Sequence, residues 1–139
     1  MSMRGFRKII TRALILGALA FALSGCIFGG ASRADRLESS LREAAMSVPG
    51  IKSVSVNANA NTSGNFIVVK LVGDTDDKSE LTEILRDAIP ALLDSIKDLE
   101  SATFGVSIFS PDDSVSAEPG ELGYSGSSSL VRYREFFSK

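Results

Sequence analysis

The side chains that most often do chemistry are scarce in this chain of 139 residues: it has no His, no Trp and a single Cys. Without an imidazole, the Ser-His-Asp and Cys-His routes to an activated nucleophile are closed. Gly123-Tyr124-Ser125-Gly126 has the look of a nucleophile elbow. It lacks the Gly-x-Ser-x-Gly spacing and the strand-to-helix setting that would expose a reactive hydroxyl, so Ser125 is not expected to be a nucleophile. Asp74, Asp76 and Asp77 are the best candidates for metal ligands, because hard carboxylate oxygens suit calcium. The stretch has neither the Gly nor the bidentate Glu of an EF-hand loop, and the same carboxylates would serve to cap a helix and oppose its positive dipole end. Paired carboxylates for glycoside cleavage need a set separation across a cleft. With 17 Asp and Glu in a small protein, chance pairs are expected and none stands out. The expectation is a non-enzymatic chain with no catalytic residue and no metal.

Other residue types point to contact rather than catalysis. Tyr124, Tyr133, Phe136 and Phe137 gather the aromatic side chains near the C-terminus. Such rings suit a partner or a membrane interface, or they close the open face of a sheet. Asn57, Asn59 and Asn61 could hold glycan hydroxyls or form the solvated side of a strand. The candidate partner surface is Phe66, Val68, Tyr133, Phe136 and Phe137.

The elements that would position these residues follow from the hydrophobic pattern. Ala34, Leu37, Leu41, Ala44, Ala45 and Val48 recur at helical spacing, with Ser32 or Asp35 as cap and Pro49-Gly50 as stop. Val54, Val56, Ala58 and Ala60 alternate with Ser55, Asn57 and Asn59, which predicts a half-buried strand. Residues 61–65 supply turn chemistry, and residues 66–72 form a second strand of the hairpin. Lys70 assigns the even positions to the less buried face, so Ile67, Val69 and Leu71 face inward. Phe66, Val68, Val72 and Phe109 then share the outer face, a candidate binding surface if the tail leaves it bare. Asp77 and Glu80 have the spacing of a capping box. They open a long helix with an apolar stripe from Leu81 to Ile96, in which Pro90 predicts a kink. Phe104, Val106 and Ile108 alternate as a third strand, ended by Ser110-Pro111-Asp112-Asp113. Residues 114–129 read as loop, and Leu130 to Phe137 as a short helix capped by Ser127 or Ser128. The fold class is α+β: a small three-stranded mixed sheet with two helices packed on one face, in the order α-β-β-α-β, with a C-terminal helix possible.

Charge divides the chain into two segments. Arg4, Arg7, Lys8 and Arg12 precede any acidic residue, and removing them from the 15 Lys and Arg leaves 11 against 17 Asp and Glu, about −6. So acidic a domain repels phosphate backbones, which argues against nucleic acid as a partner. The basic stretch leads into Ala13 to Leu23, 11 uncharged residues that suit a signal-peptide core and fall short of a bilayer span. Leu23-Ser24-Gly25-Cys26 follows. A branched apolar residue, two small residues and then Cys resemble the lipobox of bacterial lipoproteins, and the resemblance covers residues 1–26. It implies cleavage before Cys26 and a diacylglyceryl group on its thiol, with no other cofactor. It also implies residence on the extracytoplasmic face of a cell membrane. An uncleaved anchor helix is the rival, since residues 13–30 are 18 uncharged positions. On the lipoprotein reading, residues 1–25 are the signal peptide and 26–32 a short tether. Residues 33–110 are the domain, and 111–139 a loop with an aromatic tail.

The order of elements over residues 33–109 resembles the BON domain, a small module of bacterial envelope proteins thought to bind phospholipid or other envelope surfaces. Leu71-Val72-Gly73 falls where that family has Leu-x-Gly after its hairpin. Pro49-Gly50-Ile51 before the first strand and the lack of a Gly-Val pair before the last one depart from the family, and no binding residue carries over. The functional expectation is a membrane-anchored lipoprotein acting as a binding or structural module at the cell envelope, with an unknown envelope protein or lipid as partner. The alternative is a lipid- or small-ligand-binding domain that uses the space between helices and sheet.

Overall fold

A computed structural model describes residues 32–138; Cys26, the rest of the lipobox and the apolar run lie outside them. The compact body begins at Arg33. Its elements are α1 (Arg33–Met46), β1 (Ile51–Asn61), β2 (Gly64–Gly73), α2 (Lys78–Ser95), β3 (Thr103–Phe109), β4 (Ser116–Ala117), a 3-10 turn (Pro119–Leu122) and α3 (Leu130–Phe137). The sheet is four-stranded in the order β1-β2-β3-β4. β1 and β2 pair antiparallel, β2 and β3 parallel, and β3 and β4 antiparallel. The α+β class and the mixed sheet are as expected; the fourth strand and the formed C-terminal helix extend them.

Period-two alternation decides what the sheet buries. Ile67, Val69 and Leu71 of β2 and Phe104, Val106 and Ile108 of β3 point to the helix side and are buried. There they meet Leu41 and Ala45 of α1 and Leu81, Leu85, Ala88, Ile89 and Leu92 of α2. Each buried branched side chain contributes about 1.5–3 kcal/mol relative to exposure. These residues, with Ala117, Leu130 and Tyr133, form one core. The hairpin turns tightly, with Asn61 opposite Gly64 and only Thr62 and Ser63 between them. β1 begins at Ile51, three residues before the alternation becomes regular, because a bulge between Ile51 and Ser53 breaks the period. Gly73 ends β2 where a Cβ would lie 2.5 Å from a methyl of Leu81, so a side chain there would force the buried Leu81 side chain to shift.

Local chemistry sets the ends of α2. Asp77 is its N-cap, and its carboxylate accepts from the Glu80 N–H at 3.0 Å. The expected reciprocal bond is replaced: the Asp77 N–H donates to Thr75 Oγ1 at 3.1 Å. The helix runs on across Pro90, which stands on the exposed side, where the Arg86 carbonyl can turn to water.

After β3 the chain reverses through a turn knotted by side chains. The buried hydroxyl of Ser110 donates to Asp112 Oδ1 at 2.8 Å and accepts from the Val115 N–H at 3.0 Å. Asp112 also accepts from the Ser114 hydroxyl at 2.7 Å and the Ser114 N–H at 3.1 Å. The hydroxyl of Ser114, then that of Ser110, bring its carboxyl down from 3.8 to about 2. The turn lays Ser116 and Ala117 beside Phe109 and Ile108. This places β4 in a segment whose Ser and Gly content reads as loop, since its two residues take their order from the turn and not from any periodicity of their own. At the other end of the same edge, Ser129 bridges Thr103. Ser129 is also the N-cap residue of α3 and makes no side-chain cap bond, so neither Ser127 nor Ser128 is the cap. The Ser128 carbonyl instead accepts from the Phe104 N–H at 2.8 Å.

Two measurements test this packing. Pro90→Ala restores a donor to the Arg86 carbonyl and should raise the unfolding free energy by about 1–3 kcal/mol in urea titrations; a loss would show that the ring serves packing. The depressed carboxyl of Asp112 favours the folded state above pH 3.8, and that contribution disappears as pH falls through about 2. The stability gap between wild type and Asp112→Asn should therefore narrow across that window in acid titrations followed by circular dichroism.

Candidate functional site

The outer face of the sheet is built from the alternate positions of the same strands. Register places Asn59, Phe66 and Thr103 in one row and Asn57, Val68 and Gly105 in the next. Ser55, Lys70 and Ser107 follow, and then Ser53, Val72, Phe109 and Ser116. The two halves of this face differ. Lys70 holds its ammonium 4.7 Å from the centroid of the Phe109 ring and 3.5 Å from the Asp113 carboxylate, so Phe109 is partly covered. Phe66 and Val68 have no such cover and remain 48% and 59% exposed. Beside Val68, Gly105 contributes no side chain and leaves open space.

The C-terminal aromatic residues do not close this face. Tyr133 packs edge-on against Phe104 with centroids 5.0 Å apart, and Phe104 belongs to the helix side. Tyr124 lies 4.5 Å from Tyr133, and Phe137 stacks on Tyr133 at 5.8 Å. Burial raises the phenol of Tyr133 to about 12 and shifts that of Tyr124 upward; the Tyr124 hydroxyl donates to the Ser127 carbonyl. Arg134 fixes the helix from its other side, donating to the carbonyls of Ile96 at 2.8 Å and Glu100 at 3.4 Å. The five residues expected to form one partner surface are thus divided. Phe66 and Val68 stand on the open face, while Tyr133 and Phe137 pack beneath the sheet and Phe136 lies exposed at the rim of their cluster.

Where the open face meets the hairpin tip there is a shallow groove of about 520 Å³, lined by Ser63, Asn65, Phe66, Thr103 and residues 127–129 among others. Its lining carries no charged side chain. The Asn65 amide donates to the Ser101 carbonyl at 3.1 Å and ties the hairpin to the start of β3. No sequence pattern announces this groove, because three distant segments assemble it; the run of three serines at 127–129 was the available signal.

The residues weighed for catalysis lie elsewhere. Ser125 is exposed and shares a cleft with Arg132 and Glu135, which pair with each other at 3.6 Å. Asp77 is committed to capping, while Asp74 and Asp76 line a cleft with Pro111 and Asp112. Among the described residues, no group of three or more His, Cys, Asp or Glu converges as a metal site.

The division of the aromatic set is testable by denaturation. Phe66→Ser with Val68→Ser should change the unfolding free energy by less than about 1 kcal/mol. Tyr133→Ala should cost about 3–5 kcal/mol by emptying the space against Phe104. Comparable losses would mean that the open face carries packing. Comparison with protein-family models, curated proteins and solved structures finds no match to this chain, so a functional reading has to start from its own residues and geometry.

Proposed function

We propose that this chain is an extracytoplasmic lipoprotein, held on a cell membrane by diacylglycerol on Cys26, whose α+β domain is a non-enzymatic binding or structural module at the cell envelope. The observation that carries the reading is the order basic stretch, apolar run, Leu23-Ser24-Gly25-Cys26, in a chain whose only cysteine stands at that point. Only a thiol can form the thioether to the lipid, and a lone cysteine in an exported protein has no disulfide partner. Each buried methylene contributes about 0.8 kcal/mol, so two acyl chains hold a protein stably where one does not. The domain adds the bare pair Phe66 and Val68, which suits a contact surface more than a reaction.

The space between helices and sheet is filled by Leu41, Leu81, Leu85, Ile89 and Leu92 against Ile67, Val69 and Leu71, all at most 1% exposed. That packing favours surface contact over an internal lipid or ligand chamber.

Labelling cells with radioactive palmitate tests the anchor. Wild type should carry label and sediment with membranes, while Cys26→Ser should lose the label and its stable hold on the membrane. A Cys26→Ser protein that stays membrane-bound and uncleaved would overturn the reading.

A further inference from the structure

We infer that the hairpin end of the domain, with Phe66 and the uncharged groove beside it, is a docking surface that rests on the lipid bilayer. The inference depends on the anchored reading of Cys26 and adds an orientation to it.

The chain enters the domain at this same end. The sharp turn at Pro49-Gly50 folds α1 back along β1, and the Ala58 N–H donates to the Glu38 carboxylate at 3.2 Å. Arg33 lies five residues before Glu38, which is about 7.5 Å farther along the helix. That sets it level with Ala60 and Asn61 at the hairpin tip. The cleft that Arg33 and Leu37 share with Ser95, Ile96 and Leu99 places the end of α2 there too. The groove and the entry point of the chain therefore occupy one pole.

Reach excludes the inverted orientation. Residues 27–32 separate Cys26 from the body and span at most about 20–25 Å when extended. β2 has 10 residues, so the sheet is about 33 Å long from pole to pole. A tether shorter than the sheet cannot stand the domain on its far pole while Cys26 stays at the bilayer.

The two poles also differ in chemistry. The far pole gathers Asp74, Asp76, Asp77, Asp112 and Asp113 in the loops after β2 and β3, with Lys70 beside Asp113. The hairpin pole sets Asp98 and Glu100 among Arg33, Arg36 and Lys97, so anionic head groups would repel the far pole more strongly. The hairpin pole offers serine and threonine hydroxyls that can donate to phosphate and ester oxygens. Phe66 stands at their edge, an apolar ring that can insert at the boundary of head groups and acyl chains.

Because the chain has no Trp, one introduced indole reports on one place. Phe66→Trp probes the hairpin pole, and Met46→Trp probes the opposite pole at nearly equal exposure, 47% against 48%. The chain from Cys26 onward is coupled through that thiol to a maleimide lipid in phosphatidylcholine vesicles containing brominated acyl chains. Fluorescence of the Phe66→Trp protein should be quenched several-fold more than that of Met46→Trp, and Val68→Trp should behave like Phe66→Trp. Equal quenching at both poles, or none at either, overturns the docking surface. Emission from Phe66→Trp that ignores the vesicles and responds to soluble peptidoglycan fragments also overturns it, and assigns the groove to glycan. Chemical coupling supplies the anchor here, so failure of this test is distinct from failure of palmitate labelling in cells.

Discussion

Whether this domain has a bare sheet face at all is decided by the contact between Phe104 and Tyr133. Residues 128–130 run along the edge of β3, held by bonds from Phe104 to Ser128 and from Leu130 to Ala102. From that edge α3 can pass over either side of the sheet. Phe104 points to the helix side, and the edge-on approach of Tyr133 to its ring draws α3 after it. Such a pair contributes about 0.5–1.5 kcal/mol beyond the area it buries. Arg134 then locks the choice by donating to the carbonyl of Ile96 at the end of α2 and to that of Glu100 in the loop that follows. With all three helices on one side, nothing among the described residues covers Phe66 and Val68.

What the sequence made legible were features governed by neighbours along the chain. The alternation around Lys70 sorted β2 correctly, and Asp77 announced the start of α2 because capping involves residues three apart. The stop at Pro49-Gly50 was equally local. What stayed hidden depends on contacts between distant segments. β4 has two residues and no periodicity, and it exists because Ser110 and Asp112 close a turn that lays it against β3. The side taken by the tail depends on Phe104, some thirty residues earlier in the chain. An aromatic cluster in a tail has the same composition whichever face it packs on. The groove at residues 63–66, 101–103 and 127–129 was hidden for the same reason.

The described residues have no disulfide to lean on, since the single cysteine of the chain, Cys26, is not among them. A domain of about a hundred residues has a limited stability margin, so unsatisfied polar groups would be costly. Among the described residues, no buried side-chain nitrogen or oxygen lacks a partner, and Ser110 shows how that is achieved. Its hydroxyl is wholly buried, yet it donates to Asp112 and accepts from Val115. The polar groups left free for recognition are therefore at the surface, in the groove and loops.

Against that economy the row Asn57, Val68, Gly105 looks wasteful. β-Branched and aromatic residues favour strands, so Phe66 and Val68 could be explained as strand formers whose exposure is incidental. Gly105 speaks against that explanation. A glycine inside a strand weakens it and packs against nothing, and no neighbour lies where its Cβ would stand. A sheet selected only for strength would place a side chain there to cover Val68, as Lys70 covers Phe109 two positions along. The row instead keeps an apolar side chain bare beside a gap, next to the groove at the hairpin tip. That arrangement costs strand stability and gains access, which fits the docking surface proposed for the hairpin end.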